Sequence, residues 1–271
     1  MTDVDLPPLP SARFELIPTE ADVAFFADNG FVSVPRITTD EEIEWLGLVY
    51  DLLFEEKVGG FRGGYFDLAR SYDAEGEDVL PQVLAPEHRF PQLRDTVYFR
   101  NARLMASALL GVDEAVLHGW GHMILKPAHR GHETPWHQDE AYWTADHSYA
   151  AVGAWMPLDE ASVESGCLHF VPGSHRGPVL SHHHIGNDPR VHGLEADEPD
   201  TSGAVAVPIP RGAATFHHPR MIHYAGPNST DQPRRAYANE FQLAPVAAEG
   251  VAERPWLDEG RKAWEARTIS R

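Results

Sequence analysis

The chain has 271 residues, of which 22 are Lys or Arg and 41 are Asp or Glu, so its formal net charge is −19 at pH 7. With 42% hydrophobic residues, the composition is that of one large globular domain, which excludes a disordered chain, a collagen and a multi-domain array. The negative charge argues against nucleic-acid binding and binding to anionic membranes, and it makes CoA thioesters less favourable substrates.

The N-terminus and the cysteine content predict a soluble cytosolic protein. Asp3 and Asp5 stand where a signal peptide carries basic residues, and no apolar run approaches the ~18 residues of a membrane span. Cys167 is the only cysteine, so an intrachain disulfide and a thiolate-rich metal site are excluded. A metal site would therefore have to use histidine and carboxylate ligands, and the chain has 16 histidines.

Residues 1–18 are rich in proline and predict an extended arm, followed by a single domain over residues 19–271. Helical patterns dominate the first third of that domain. Thr19 predicts the start of a short helix that stops at Gly30, and residues 31–34 alternate as a strand. Thr39 and Glu42 have the spacing of a capping box ahead of a second helix that ends near residues 57–60. A third helix is predicted over residues 92–110.

After His118 the pattern changes to short apolar segments separated by Gly, Pro and Asp, which predicts strands. Several short strands in one domain favour a β-sandwich or barrel with a core over about residues 116–245, flanked by the N-terminal helices. A last helix is predicted over residues 258–267. The strands are predicted at residues 121–125, 149–156, 168–171, 204–209, 213–216 and 236–243.

His137 and Asp139 form the most informative pair in the sequence. Two residues apart on a strand, their side chains share a face and can bind one ion with an imidazole nitrogen and a carboxylate oxygen. His223 is the best candidate for a third ligand, because a strand from late in the chain could pair beside them. Two histidines and one carboxylate on one side of an octahedron are typical of non-haem Fe(II) oxygenases.

These histidines have two other interpretations. A His-x-Asp pair also occurs by chance, so alone it is a weak signal. A zinc protease is excluded, because His137 follows His132-Glu133 at five residues from His132 instead of four, and Pro135 breaks the helix that such a motif needs.

Three separated blocks, with consistent spacing from about residue 19 to residue 243, resemble the phytanoyl-CoA dioxygenase-like Fe(II)/2-oxoglutarate oxygenases, a family that also contains ectoine hydroxylase. The blocks are Trp136-His137-Gln138-Asp139 with Trp155-Met156-Pro157-Leu158-Asp159, then Ser165-Gly166-Cys167-Leu168-His169-Phe170-Val171-Pro172-Gly173-Ser174-His175, and finally His223 with Asn228, Arg234 and Arg235.

The resemblance implies a double-stranded β-helix, the jelly roll of cupin type, with Fe(II) bound by His137, Asp139 and His223. It also implies that Arg234 binds the distal carboxylate of 2-oxoglutarate, because a guanidinium fork pairs bidentately with a carboxylate. By the same resemblance, the cosubstrate pocket is lined by Trp155, His122 and Thr134. Arg235 should face the other side of the strand as a solvated charge.

Variable loops in this family cover the substrate, and two segments are candidates here, residues 59–64 and residues 178–203. Within the second, the histidines at 182–184 predict a polar lid on an extended loop. Tyr142 and Trp143 follow the ligand pair and should lie at the pocket mouth. Cys167 is expected to be a small buried apolar residue, and His175 to bond locally.

The prediction is an Fe(II)/2-oxoglutarate-dependent dioxygenase that uses O2 and hydroxylates a small-molecule substrate with release of succinate and CO2. Desaturation, epoxidation and ring closure remain open outcomes, and the sequence does not identify the substrate or the oligomeric state. Two alternatives are a metal-dependent cupin-type isomerase or hydrolase and a non-catalytic jelly-roll binding protein. In the first alternative, which would bind Zn or Mn, Arg234 would have no dicarboxylate to bind.

Overall fold

The computed structural model describes residues 6–57, 64–248, 250 and 253–269, with side chains described as far as residue 266. The sequence-predicted substrate segment 59–64 lies outside the described residues except for Gly64. Within this part of the chain there are four α-helices, α1 (Glu20–Asn29), α2 (Asp40–Glu55), α3 (Val97–Leu110) and α4 (Pro255–Ile269). None of the described helices is long and apolar enough to cross a bilayer.

The described strands follow in chain order. They are β1 (Phe31–Val34), β2 (Tyr65–Asp67), β3 (Pro81–Leu84), β4 (His118–Lys126), β5 (Thr134–His137), β6 (His147–Ser148), β7 (Ala151–Pro157), β8 (Leu168–Phe170), β9 (His182–His184), β10 (Leu194–Ala196), β11 (Val205–Val207), β12 (Ala214–His217), β13 (His223–Ala225), β14 (Arg234–Gln242) and β15 (Val246–Ala247).

Two antiparallel sheets form the jelly roll, which confirms the predicted fold class. The larger sheet has the order β1-β12-β7-β14-β4-β3-β2 and the smaller has the order β11-β8-β13-β5. Strand β1 has the predicted bounds, whereas β2 and β3 are additional strands in the N-terminal third that the sequence did not predict. Two short ribbons, β9 with β10 and β6 with β15, extend from this body.

The side chains of strand β14 alternate between the main apolar core and the inside of the jelly roll. Tyr237 and Phe241 point to one side, where they pack with Tyr98 and Phe99 of α3 in the main apolar core. Arg234, Ala236 and Ala238 alternate with them and point to the inside of the roll. One face of the larger sheet is therefore covered by helices, and its other face is available for a site.

Helix ends follow local capping chemistry, but several bounds differ from prediction: α2 ends at Glu55 ahead of residues 57–60, and α4 spans Pro255–Ile269 in place of residues 258–267. Gly30 ends α1 with φ 82°, as predicted. The Thr39 side chain caps α2, but the Glu42 carboxylate does not complete a capping box; it accepts hydrogen bonds from the backbone N–H groups of Val97 and Tyr98. Helix α3 begins at Val97 instead of residue 92, since residues 91–95 form a 3-10 turn after Pro91.

The N-terminal arm lies along the domain in its described part. Residues 6–19 contain no helix or strand. Leu6, Leu9 and Leu16 pack against the main core, and the Trp45 indole donates a hydrogen bond to the carbonyl of Pro7 at 2.8 Å. The division into an arm over residues 1–18 and one domain over residues 19–271 stays a prediction.

Candidate metal centre

A cavity of about 440 Å³ is lined by residues of both sheets of the jelly roll. Every residue that the sequence analysis assigned to the site lines it, although these residues come from five strands and a turn. They are His122 on β4, Thr134 and His137 on β5, Asp139 after it, Trp155 on β7, His223 on β13 and Arg234 on β14.

Strand pairing brings the three metal-ligand candidates together. His223 on β13 stands directly opposite His137, the last residue of β5. Asp139 begins a short 3-10 helix, so the prediction that it shares a strand with His137 was wrong. Gln138 between them is extended, with φ −127° and ψ 132°, which keeps both side chains on the same side of the chain.

The ligand atoms of these three residues all lie within 4.8 Å of one another. Asp139 Oδ1 is 3.6 Å from His137 Nε2 and 3.7 Å from His223 Nε2. Two imidazole nitrogens and one carboxylate oxygen facing a common point match the donor set of a non-haem iron site.

Backbone carbonyls fix both imidazoles in the orientation that a metal needs. His137 Nδ1 donates a hydrogen bond to the Pro135 carbonyl at 2.7 Å, and His223 Nδ1 donates one to the Met221 carbonyl at 2.9 Å. A carbonyl only accepts, so each Nδ1 carries the proton and each Nε2 is left with a free lone pair. Both lone pairs face the Asp139 carboxylate.

Burial sets the charges of the cluster. It lowers the pKa of His137 and that of His223, the latter to about 3, so both rings are neutral at pH 7. Burial also raises the pKa of the Asp139 carboxyl, but the neighbouring His223 and a hydrogen bond from His217 outweigh it and hold that pKa well below its usual range. Two neutral histidines and an ionised carboxylate are the protonation states that bind a metal.

His217 is a functional candidate that the sequence analysis missed. Its Nε2 lies 2.9 Å from Asp139 Oδ2 and donates to it, because a carboxylate only accepts. The predicted strand 213–216 ended one residue before His217, whereas β12 includes it. In a strand of that length, His217 lies on the same face as Thr215, which would have indicated an inward side chain.

The environment of Arg234 shows that the cavity can accommodate a dicarboxylate ligand. It is 2% exposed, and its Nε and Nη1 atoms are buried without a hydrogen-bond partner. Burial lowers the pKa of its guanidinium to about 10, so the group is still charged at neutral pH. A buried, unpaired guanidinium is costly, and a carboxylate ligand would satisfy it. The site therefore fits 2-oxoglutarate.

The other predicted pocket residues lie between Arg234 and the outer end of the cavity. The Arg234 guanidinium is 5.3 Å from the centre of the Trp155 ring. On β14, Ala238 has Trp155 on one neighbouring strand and His122 on the other. Burial lowers the pKa of His122 to about 4, so its ring is neutral at pH 7. Thr134 is half-buried at the start of β5.

Arg235 faces away from the cavity, as strand alternation predicts, but it is not the solvated charge that the sequence suggested. Its guanidinium pairs with Asp159 at 2.8 Å and with Asp51 of α2 at 3.0 Å. Because these carboxylates occupy it, Arg235 has a structural role between α2 and the larger sheet.

Three segments close the mouth of the cavity. Tyr142 and Trp143 line it as predicted, and His184, His192 and Leu194 contribute from residues 178–203. The histidines at 182–184 are a strand paired with β10, not an extended loop, and His182 and His184 are buried. His175 bonds to the distant carbonyl of Ala27 instead of locally.

Helix α4 is the third segment, and the sequence analysis did not place it at the site. Trp256, Leu257, Gly260 and Arg261 line the cavity. The Trp256 indole donates to the carbonyl of Ala141, beside the metal-ligand candidates, at 2.8 Å.

A jelly roll with two neutral histidines and a carboxylate facing one point, and an unpaired buried arginine in the same cavity, is the architecture of the Fe(II)/2-oxoglutarate-dependent oxygenases. The chain belongs to the phytanoyl-CoA dioxygenase (PhyH) family, whose sequence model matches residues 26–236.

Known relatives support this assignment. Phytanoyl-CoA dioxygenase, peroxisomal, of Mus musculus is 26% identical over 231 residues, which cover 80% of this chain and 66% of that protein. This chain thus spans slightly less than two thirds of that relative's length.

Solved structures show the same fold. EvdO2 from Micromonospora carbonacea var. aurantiaca is 44% identical with a TM-score of 0.79, covering 90% of this chain and 100% of that one, and it has also been solved with 2-oxoglutarate. The epimerase SnoN, in complex with Fe3+, alpha ketoglutarate and nogalamycin RO, is 25% identical with a TM-score of 0.64, covering 85% of this chain and 86% of that one.

Proposed function

We propose that the protein is an Fe(II)- and 2-oxoglutarate-dependent dioxygenase that hydroxylates a small-molecule substrate. In this proposal His137, Asp139 and His223 bind the metal, and Arg234 binds the distal carboxylate of the cosubstrate. Trp155, His122 and Thr134 line the cosubstrate pocket. The known complexes of EvdO2 with 2-oxoglutarate and of SnoN with iron and alpha ketoglutarate support the choice of cofactors.

The observation that carries the proposal is the presence of the His/Asp/His cluster and the unpaired Arg234 in one cavity. A metal-dependent isomerase or hydrolase would use the metal ligands but would leave the buried guanidinium without a partner, and a non-catalytic binding protein would need neither feature. A 2-oxoglutarate-dependent enzyme accounts for both features, because the cosubstrate needs an anion anchor near the metal.

Each part of the chain has a separate task in this reaction. His137, Asp139 and His223 would hold Fe(II) through two imidazole nitrogens and one carboxylate oxygen. Bound Fe(II), 2-oxoglutarate and O2 supply the oxidation, with release of succinate and CO2. Tyr142, Trp143 and α4 cover the cavity and restrict the access of water.

The proposed compartment is the cytosol and the proposed ligand is a small molecule, without nucleic-acid or membrane partners. The acidic composition, with a net charge of −19, supports both parts of this proposal. The relative from mouse is named peroxisomal, so localisation of the tagged full chain in its native cell is the direct test.

The first experiment adds Fe(II) and then 2-oxoglutarate anaerobically and records the visible spectrum. A charge-transfer band that requires both additions, and that Asp139→Ala abolishes, is the expected result. Normal iron binding and succinate formation by Asp139→Ala would show that the ligand assignment is wrong.

A second experiment addresses the outcome of the reaction. Hydroxylation predicts that a turned-over substrate gains one oxygen atom from labelled O2, detectable by mass spectrometry. A product formed with stoichiometric succinate but without the label would instead indicate epimerisation, desaturation or ring closure.

A further inference from the structure

Glu240 is a buried carboxyl group inside the cavity that the metal site and the proposed cosubstrate do not use. It lies on β14, six residues after Arg234 and on the same face of the strand. A Cβ atom placed on Gly153 would lie 2.9 Å from His217 Nε2 and 3.4 Å from Glu240 Oε2, so both side chains lie over Gly153. Glu240 is therefore at the metal end of the cavity, away from Arg234.

The Glu240 carboxyl has no hydrogen-bond partner among the described residues. It is 8% exposed, and its Oε1 atom is buried and unpaired. The other charged groups of the cavity wall already have partners or a role in the proposed function. Asp139 bonds to His217 and is a proposed metal ligand, and Arg261 pairs with Asp258 and Glu265. A buried polar group without a partner is destabilising, so a ligand group that reaches Glu240 would gain binding energy.

Burial, followed by the negative charge of Asp139, raises the pKa of Glu240 well above its ordinary value. A protonated carboxyl both donates and accepts a hydrogen bond, which is the capacity that complements a hydroxyl group. An apolar chain at this place would leave the carboxyl unpaired, and an anionic group would face Asp139.

The surroundings of Glu240 are neutral and aromatic. Trp120 stands beside it on β4, and Trp143 and Trp256 line the same cavity. Gln82 and His192 add polar groups whose side chains form no hydrogen bond to other described residues. Flat apolar surfaces with a few neutral hydrogen-bonding groups suit a ring compound with hydroxyl substituents.

We propose that the substrate is a neutral, hydroxyl-bearing ring compound of the sugar type, and that the Glu240 carboxyl forms a hydrogen bond with one of its hydroxyl groups. This inference rests on the proposed function, since it assigns the part of the cavity left free by the metal and by 2-oxoglutarate. It gives Glu240 the role of a specificity-determining residue.

The test uses the full-length protein loaded anaerobically with Fe(II) and 2-oxoglutarate, so that binding is measured without turnover. Calorimetric titration compares neutral methyl glycosides of glucose, galactose and mannose with the 2-amino and uronic acid analogues of the glucoside. We expect at least one neutral glycoside to bind about tenfold or more tighter than the charged analogues. Binding of none of the neutral glycosides, or tighter binding of the amine, would overturn the proposal.

Three variants then test the residue itself. Glu240→Gln keeps a neutral hydrogen-bonding group and should bind the neutral glycoside within about threefold of wild type, whereas Glu240→Leu should bind about tenfold or more weakly. Glu87→Leu is the control, because the Glu87 carboxyl is also buried without a hydrogen bond, has only a long ion pair to Arg94 at 3.8 Å, and lies outside the cavity lining. Equal losses in Glu240→Gln and Glu240→Leu would show that a charge is needed and would contradict the proposal.

The charge-transfer band with Fe(II) and 2-oxoglutarate is recorded on each variant. A normal band without glycoside binding counts against this inference alone. Absence of the band in the wild-type protein counts against the proposed function.

Discussion

Arg234 and Arg235 are adjacent residues with opposite environments, and this difference gives a sharp prediction. Arg234→Ala should weaken 2-oxoglutarate binding by about tenfold to over a hundredfold, because charge-assisted bonds to the distal carboxylate are lost. Arg234→Lys should restore only part of the affinity, since an ammonium keeps the charge without the planar fork. The measurement is 2-oxoglutarate titration with saturating Fe(II).

Arg235→Ala is the matched control for that experiment. Its guanidinium already pairs with Asp159 and Asp51, so we expect a loss of stability with little change in cosubstrate affinity. A larger affinity defect in Arg235→Ala than in Arg234→Ala would show that the two roles are reversed.

His217 acts through Asp139 and is therefore a positioning residue. His217→Phe keeps a ring in place but removes the hydrogen bond to Asp139 Oδ2, so Fe(II) affinity should fall by about tenfold to a hundredfold. His217→Gln, which can still donate, should recover part of the loss. Anaerobic metal titration measures both.

The control for His217 is its neighbour. His218 is half-buried, and it contacts the Arg220 backbone and the His175 ring rather than Asp139. His218→Phe with an equal loss of iron affinity would mean that the effect is general disturbance of this segment.

At the level of single residues, the sequence could predict groups that lie close together in the chain or match known blocks. His137 and Asp139 are two residues apart, and His223 and Arg234 occur in one block. His217 and Glu240 carry no such signal, because the contact between His217 and Asp139 spans 78 residues and depends on the pairing of strands. Only the assembled sheets define these two positions.

Glu42 joins two helices, and its substitution tests how the elements are held together. Its buried carboxylate accepts hydrogen bonds from the Thr38 hydroxyl and from the first two backbone N–H groups of α3. Glu42→Gln should lower the free energy of unfolding by about 2 to 4 kcal/mol, because the amide presents a donor to one of these N–H groups. Urea unfolding of the variant measures this loss.

Glu41→Gln is the control, since Glu41 is exposed in the same turn of α2. We expect its unfolding free energy to stay within about 0.5 kcal/mol of wild type. Iron affinity should be unchanged in both proteins, and a stability loss in Glu41→Gln as large as that in Glu42→Gln would refute the role of the buried carboxylate.

The ends of helices and strands were predicted correctly where a local signal such as a capping residue marks them. The predictions were wrong where a contact between residues far apart in the chain determines the structure. Thr39 and Gly30 mark helix ends by capping, and the structure agrees. Glu42 has the spacing of a capping box, yet it binds the start of α3, which is a contact across 55 residues. Strands β2 and β3 are too short for a clear periodic pattern; β3 pairs with the edge of β4, and β2 pairs with β3.

For the molecule as a whole, buried and half-buried histidines predict a dependence of stability on pH. Burial lowers the pKa of His182, and partial burial lowers that of His122 and His218, to about 4 each, against about 6.5 in an unfolded chain. Between these values the unfolded state binds more protons, so the free energy of unfolding falls as the pH falls. The loss is at most about 1.4 kcal/mol per pH unit for each histidine.

Urea unfolding of the metal-free protein at about pH 7.5, 6 and 5 tests this dependence. We expect progressive destabilisation accompanied by proton uptake on unfolding. Constant or increasing stability between about pH 6.5 and 5 would contradict the neutral state of these histidines in the folded protein.

Strand β14 also fixes the distance between the two ends of the site. Six residues at about 3.3 Å each place Arg234 and Glu240 roughly 20 Å apart along one strand. Deleting a single residue between them would turn Glu240 towards α3 while Arg234 stayed in the cavity. The interval between the two ends of the site is thus fixed by the pairing of β14 with β4 and β7, whereas β9, β10 and α4, which also line the cavity, lie outside the two main sheets.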